Sequence, residues 1–374
     1  MEVVVHKNLS DEWKTIVRVP YALRRVPDES LSRLLPWSGS PVPGDIALAR
    51  VEKLGRNDSV ELRDGRRCSL HKGDLLAVVF GNRYATRQFE GYARADGEDC
   101  DLLSMGGMCG LVVSKHAECG DPTRLQLLGF IGDPSGSPLR LRQFAIPPSP
   151  CNGHPGVRVV VVCGASMDSG KTHTAMSVIA GIHKQGYRVA GAKLTGTATG
   201  KDRFKLLDAG ACVAWDFVDG GLPSTYLCDL EELINLHRLF VASAAFHHAA
   251  TLVVEIADGL LQNETAALLQ SPRFRETVDA WIFAAGDPLA ATGGVSVLRS
   301  WGIEPLTISG LVSMSPLCQK EAQMGTGLPC LTALELERGK LTAQIMGLAH
   351  KVEARPYPAL NVATAQGEAR QLVE

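Results

Sequence analysis

The sequence predicts an α/β protein: a parallel-sheet phosphate-loop domain preceded by a mostly antiparallel β domain. Three observations carry that prediction. The stretch "VRVVVVCGASMDSGKTHTAM", residues 157–176, sets an apolar run, Gly164, and then Gly170-Lys171-Thr172 before a helical pattern. From there on, nearly continuous apolar runs alternate with longer helical stretches, as strands covered on both faces require. Before residue 150 the rhythm differs, and short apolar segments alternate with turn signals.

Taken in order, residues 1–40 form an N-terminal extension in which "DESLSRLLPW" predicts one short helix, capped by Asp28 or Ser30. Residues 41–145 form the β-rich domain. Its strand candidates are "GDIALARVEKL", "SVELRDGRRCSL", "DLLAVVFG" and "LQLLGFIGD", and Asp64-Gly65 is a hairpin signal. A small barrel or sandwich is expected. Within it, "FGNRYATRQFEGY" interleaves arginines with aromatics, so Arg83, Tyr84, Arg87 and Phe89 are candidates to grip an anionic or planar ligand. The glycines of "SMGGMCG", residues 104–110, suit close backbone approach to a ligand or neighbour. Residues 146–156 are rich in proline, glycine and small polar residues and read as a linker.

The phosphate-loop domain spans 157–337. Its strands are "VRVVVVCG", "RVAGAKL", "TLVVEIA", "AWIFAAG" and "PLTISGLVS", with helical stretches at Lys171–Gln185, Leu230–His248, Thr265–Leu269 and Ala290–Trp301. Residues 338–374 hold a C-terminal helix, "GKLTAQIMGLAHKVEA", and a polar tail.

The loop fits GxxxxGK[ST], and its chemistry follows from its composition. Glycines let backbone N–H groups turn toward phosphate oxygens, and the following helix adds its partial positive charge. Gly164, Ser166, Met167, Asp168, Ser169, Gly170, Lys171, Thr172 and His173 therefore line a nucleotide site. Lys171 reaches the β- and γ-phosphates and Thr172 holds Mg²⁺. No lysine follows Gly164, since Ala165 and Ser166 come next. That argues against motor and partitioning ATPases, some of which use a lysine there across a dimer.

"GASMDSGKT" opening a helix, then "GYRVAGAKLTG" and "LVVEIADGLL", resembles the dethiobiotin synthetase group, with its cobyrinic acid amide synthetase and CTP synthase relatives. The resemblance covers about 157–315; a phosphate-loop family of unassigned function is a second home. It implies that Lys193 contacts substrate and γ-phosphate. Asp202 and Glu255 then complete the metal site with Thr172, and Asp168 stands where the group often has a glutamate, making Lys171, Lys193 and Asp168 the catalytic candidates. Glu255 also has its own physical case, at the carboxyl end of a central strand where open α/β sheets bind ligands. The chain departs from the group at Ile256-Ala257-Asp258-Gly259 and at Ser313, which replaces an adenine-reading asparagine. The loop "AWDFVDGGLPSTY" offers Ser224 and Thr225 as substrate hydroxyls, with Thr195 beyond Lys193 as a third. His247-His248 lack a third ligand at helical spacing and read as packing.

Composition narrows the classes. The 374 residues are 45% hydrophobic and 21% charged, with net charge −2, which leaves no global basic field for nucleic acid or an anionic membrane. The longest apolar run, "VVVVC", is far short of a membrane span, and the start "MEVVVHKNLSDEWK" does not read as a secretory signal. Ten scattered cysteines without a CxxC pair predict free thiols and a cytoplasmic setting. The function expected is ATP- and Mg²⁺-dependent phosphoryl transfer to a small-molecule substrate, as a ligase or kinase, in a homodimer. The alternative is a nucleotide switch or metallochaperone-like NTPase whose β domain holds a protein partner.

Overall fold

The computed structural model describes residues 16–37, 41–148 and 156–348, together with the backbone of 7–8. The expected linker lies largely in 149–155 and the expected tail beyond 348, outside the described residues.

Strands β1 (Lys7–Asn8), β2 (Arg33–Leu35), β3 (Ile46–Lys53), β4 (Ser59–Glu61), β5 (Arg67–Ser69), β6 (Leu75–Phe80), β7 (Arg83–Tyr84), β8 (Phe89–Tyr92), β9 (Asp99–Leu102), β10 (Met108–Lys115) and β11 (Thr123–Gly132) build the N-terminal half. Their pairing closes on itself: β11 pairs β3, β3 pairs β6, β6 pairs β10, β10 pairs β9, and β9 returns to β11. The result is a small barrel in which only β6 and β10 run parallel. Alternate side chains point inward, and Ala47, Ala49, Val78, Phe80, Leu102, Leu125 and Leu127 fill the interior. The hairpin β4–β5 turns through Gly65 at φ 85°, a conformation that favours glycine.

The expected helix at 28–37 is one 3₁₀ turn, Asp28–Ser30, followed by β2. Strand pairing overrides helix propensity there, because Leu34 and Leu35 lie opposite Ile131 and Phe130 of β11. Residues 16–37 thus belong to the barrel sheet as well as to the interface described below.

The C-terminal half carries β12 (Arg158–Gly164), β13 (Val189–Lys193), β14 (Ala214–Asp216), β15 (Thr251–Glu255), β16 (Ala280–Ala284) and β17 (Thr307–Ser309), in the order β14-β13-β15-β12-β16-β17. All pairs are parallel. The helices are α1 (Lys171–Lys184), α2 (Gly200–Asp208), α3 (Leu230–Phe246), α4 (Asn263–Gln270), α5 (Pro272–Arg275), α6 (Pro288–Ser300), α7 (Pro316–Thr326), α8 (Ala333–Glu337) and α9 (Thr342–Gly347). Val160, Val162 and Val253 face one side of the sheet and Val159, Val161 and Val254 the other, each within an apolar cluster. That is why these strands read as unbroken apolar runs.

The two halves share a core. One cluster joins Tyr21, Leu23, Ile46, Leu48, Ala77 and Val79 to Val159, Leu194, Phe217 and Leu222. Beside it, the Tyr21 hydroxyl donates to Asp216 at 2.7 Å, and Arg24 bridges Asp216 at 2.8 Å and Asp219 at 2.7 Å. Gly106 of the "SMGGMCG" turn packs so closely that a Cβ would lie 2.1 Å from the Ala198 carbonyl oxygen. Among the described residues every cysteine is a free thiol, and no helix is long and apolar enough to cross a membrane.

Candidate functional site

The phosphate loop joins β12 to α1, and its glycines are required by geometry. A Cβ at Gly164 would lie 2.5 Å from Ser169 Oγ and 2.7 Å from Lys171 Cγ. Gly170 has φ 96° and lies against Gly310. Sheet register does the next step. Lys193 of β13 stands opposite Glu255 of β15, and Glu255 opposite Val162 of β12, so their side chains reach the same carboxyl edge as the loop. There the Thr172 hydroxyl donates to Glu255 Oε1 at 2.8 Å. Lys193 Nζ donates to Asp202 and lies 3.8 Å from Glu255 Oε1. Asp202, in the first turn of α2, therefore meets the site through Lys193.

A cavity of about 420 Å³ opens over these residues. Its walls carry five cationic side chains, Arg83, Lys171, Lys193, Lys201 and Lys205, against four carboxylates, Asp168, Asp202, Glu255 and Asp258. Burial pushes Lys171 below its ordinary value; Glu255 and Asp258 pull it back, and Lys193 adds to the fall. Burial acts the same way on Lys193, but Asp202 and Glu255 outweigh it and hold the ammonium charged. Burial would raise Asp202, yet Lys193 brings it below the usual range. Glu255 is raised, mainly by burial, against the pull of Lys193. Asp258 is raised by burial too, and its backbone is left-handed at φ 63°.

Glu255 Oε2 is buried without a hydrogen-bond partner. An orphaned carboxylate oxygen beside a hydroxyl fits Mg²⁺, which takes one or two protein oxygens and completes its shell with phosphate and water. Among the described residues no group of three or more His, Cys, Asp or Glu could cage an ion alone. Thr172 and Glu255 are the residues that would hold such an ion, with Asp202 turned to Lys193.

The other expected residues fall as follows. Met167 and His173 line the cavity. Lys171 Nζ donates to the Ser166 carbonyl at 2.6 Å, and Ser169 Oγ is buried without a partner. Asp168 is exposed and 3.5 Å from Arg87 of the barrel domain. Thr195 Oγ1 accepts from the Ala257 amide at 2.8 Å, and Thr225 Oγ1 from the Gly196 amide at 2.8 Å, so both hydroxyls tie loops together. Ser224 accepts from the Tyr226 amide at 3.1 Å and lines a different cavity. Ser313 does not line the phosphate cavity, and its hydroxyl donates to the Gly310 carbonyl at 2.7 Å. Sequence reasoning missed Asp258, Lys201 and Lys205. Asp258 was visible only as a departure from the glycines of the resembled group. It also missed Glu61, whose carboxylate accepts from Thr199 Oγ1 at 2.8 Å and the Gly200 amide at 2.6 Å, capping α2 from the barrel domain.

No protein-family model matches the chain, and no curated protein matches it. Solved structures give partial matches. Signal recognition particle 54 kDa protein from Aeropyrum pernix, in complex with GDP, is 18% identical over 51% of this chain and 46% of its own, with TM-score 0.37. Hydrogenase maturation factor HypB from Archaeoglobus fulgidus is 15% identical over 51% of this chain and 91% of its own, with TM-score 0.35. The kinase domain of the Escherichia coli tyrosine kinase ETK is 16% identical over 42% and 68%, with TM-score 0.31. The chain spans 46% of that signal recognition particle protein and 52% of the signal recognition particle receptor FtsY from Elizabethkingia anophelis. This chain's own strand–loop–helix, parallel sheet and strand-edge residues make the C-terminal half a phosphate-loop α/β domain.

Proposed function

We propose that this protein is a Mg²⁺-dependent enzyme that transfers the γ-phosphoryl group of a nucleoside triphosphate, ATP in our reading, to a small-molecule acceptor. The acceptor is phosphorylated as a kinase product or as the activated intermediate of a ligase. The observation that carries the reading is the convergence of Thr172, Glu255 and Lys193 on one sheet edge beside the phosphate loop. In the transfer, an acceptor oxygen bonds to the γ-phosphorus as the bond from that phosphorus to the bridging oxygen breaks. The nucleoside diphosphate leaves with the electron pair. Backbone amides of the loop and the start of α1 orient the phosphates. Lys171 and Lys193 hold fixed positive charge where negative charge shifts during transfer, and fixed charge needs no reorganisation at that moment. Bound Mg²⁺ would draw charge from the β- and γ-oxygens.

The test is ADP release against a panel of amino acids and dicarboxylic acids, with and without bicarbonate. One panel member should raise turnover well above the basal rate. Lys193→Gln should keep nucleotide affinity within a few-fold and lower turnover by about 10²–10³, the usual cost of losing one charge-stabilising donor. Unchanged turnover in that variant defeats the reading, as does hydrolysis that rises only when a protein partner is added.

A further inference from the structure

A second cavity, also about 420 Å³, lies between the barrel domain and the loop after β13. Arg56, Arg67 and Arg83 line it, and Asp58 is the single acid among its lining residues. Asp58 and Arg67 form a 3.5 Å ion pair with both side chains about two-thirds exposed, so water weakens it. No ion pair among the described residues engages Arg56. Arg83 and Thr197 line this cavity and the phosphate cavity alike, so the two meet at that wall.

Arg83 is the second, independent observation. Its residue is only 8% exposed, and one nitrogen, Nη2, donates to Gln88 at 2.5 Å. Nε and Nη1 are buried with no partner. Buried donors are almost always satisfied, and leaving a charged one unmet costs more than leaving a neutral one. Burial pushes Arg83 down to about 10; Cys119 and Asp258 act against that, and Arg56 adds to it. The guanidinium therefore sits within electrostatic reach of Asp258 on the phosphate side and Arg56 on the other. Guanidinium groups match carboxylate and phosphate oxygens in charge and planar geometry.

We infer that this interdomain cavity is the acceptor subsite, and that the acceptor carries a carboxylate or phosphate group held by Arg56, Arg67 and Arg83. The inference rests on the phosphate cavity being the triphosphate site. It gives the barrel domain its role: it supplies the cations that select the acceptor, and Arg83 brings the acceptor up to the phosphate cavity.

The experiment uses the full chain with Mg²⁺ and a non-hydrolysable ATP analogue at saturation. Malonate, succinate and inorganic phosphate are then titrated separately by calorimetry. At least one should bind saturably, and the better class identifies the anion. Arg56→Gln and Arg67→Gln together should weaken that binding at least tenfold while analogue affinity stays within twofold. No saturable binding to the wild type, equal binding to the double variant, or competition between anion and analogue each overturns the subsite. Failure of the analogue to bind instead removes the triphosphate reading, and the same anion titrations without it still decide whether the arginine cavity holds an anion.

Discussion

Arg83 places a positive charge, nine-tenths buried, against Phe89, with its guanidinium carbon 5.7 Å from the ring centroid. Such a charge is a cost to folding unless a ligand repays it. Arg83→Met should therefore raise stability, by about 1 kcal/mol, because it removes buried donors without partners and keeps apolar volume. The same change should lower acceptor-dependent turnover at least tenfold, equivalent to about 1.4 kcal/mol. Scanning fluorimetry and ADP release read the two effects; a lower melting temperature with turnover intact contradicts the assignment. At this scale the sequence was partly legible. Arg83 stood out in "FGNRYATRQFEGY" as a candidate for an anion, but its neighbours Arg87 and Tyr84 looked equal to it. Burial separates them: Arg87 is exposed beside Asp168, whereas Arg83 is enclosed between two cavities.

Helix α2 shows how an element depends on a distant residue. Its N-cap Thr199 makes no side-chain cap of its own. Glu61, on β4 of the other half, accepts from Thr199 and from the Gly200 amide and so satisfies the helix start. Two residues on, Asp202 meets Lys193, so the cap also sets the distance between α2 and the strand edge. Glu61→Ala should cost about 1.5–3 kcal/mol, as expected for hydrogen bonds to a charged acceptor. It should also weaken Mg²⁺-nucleotide binding through the misplaced Asp202–Lys193 pair. Glu61→Gln, which keeps one acceptor oxygen, should recover most of both. Denaturant titration and calorimetry would show it, and a variant as stable and as avid as the wild type would refute the coupling. The helical pattern of "KDRFKLL" is local and can be read in the chain, but the N-cap is Thr199, three residues before Asp202, which the pattern offered for that place. The cap from Glu61 was not legible, since Glu61 lies 139 residues before Gly200.

For the whole molecule, the shared apolar core and the Tyr21–Arg24–Asp216–Asp219 network predict that barrel and sheet unfold together. Scanning calorimetry should show one transition, and two well-separated transitions would mean that the interface is weak. Arg24→Ala leaves Asp216 buried without its cation and Asp219 with Arg25 alone, 3.7 Å away, a loss of about 3–5 kcal/mol. Arg24 also stacks on Tyr21, 4.3 Å from the ring centroid, so packing falls with the charge. The network explains why residues 16–37 act less as an appendage than as a clamp: they add β2 to the barrel sheet and place Arg24 on the loop after β14. Composition had no means to show this, because one arginine opposite two aspartates has no spacing in the chain.

The sequence by itself determined the class of each half and the position of the phosphate loop. Alternation, unbroken apolar runs and glycine spacing are local, and local patterns follow from strand and helix periods alone. Tertiary structure decided which residues meet. Sheet register brought Lys193 level with Glu255, strand closure made the barrel, and docking of the barrel carried Arg83 and Glu61 to the loops after β13. Each of those contacts spans a long stretch of chain, and the free energy that selects it comes from burial and charge pairing in the folded state. No periodic signal in the chain records that energy, so it becomes readable only once the two halves are packed together.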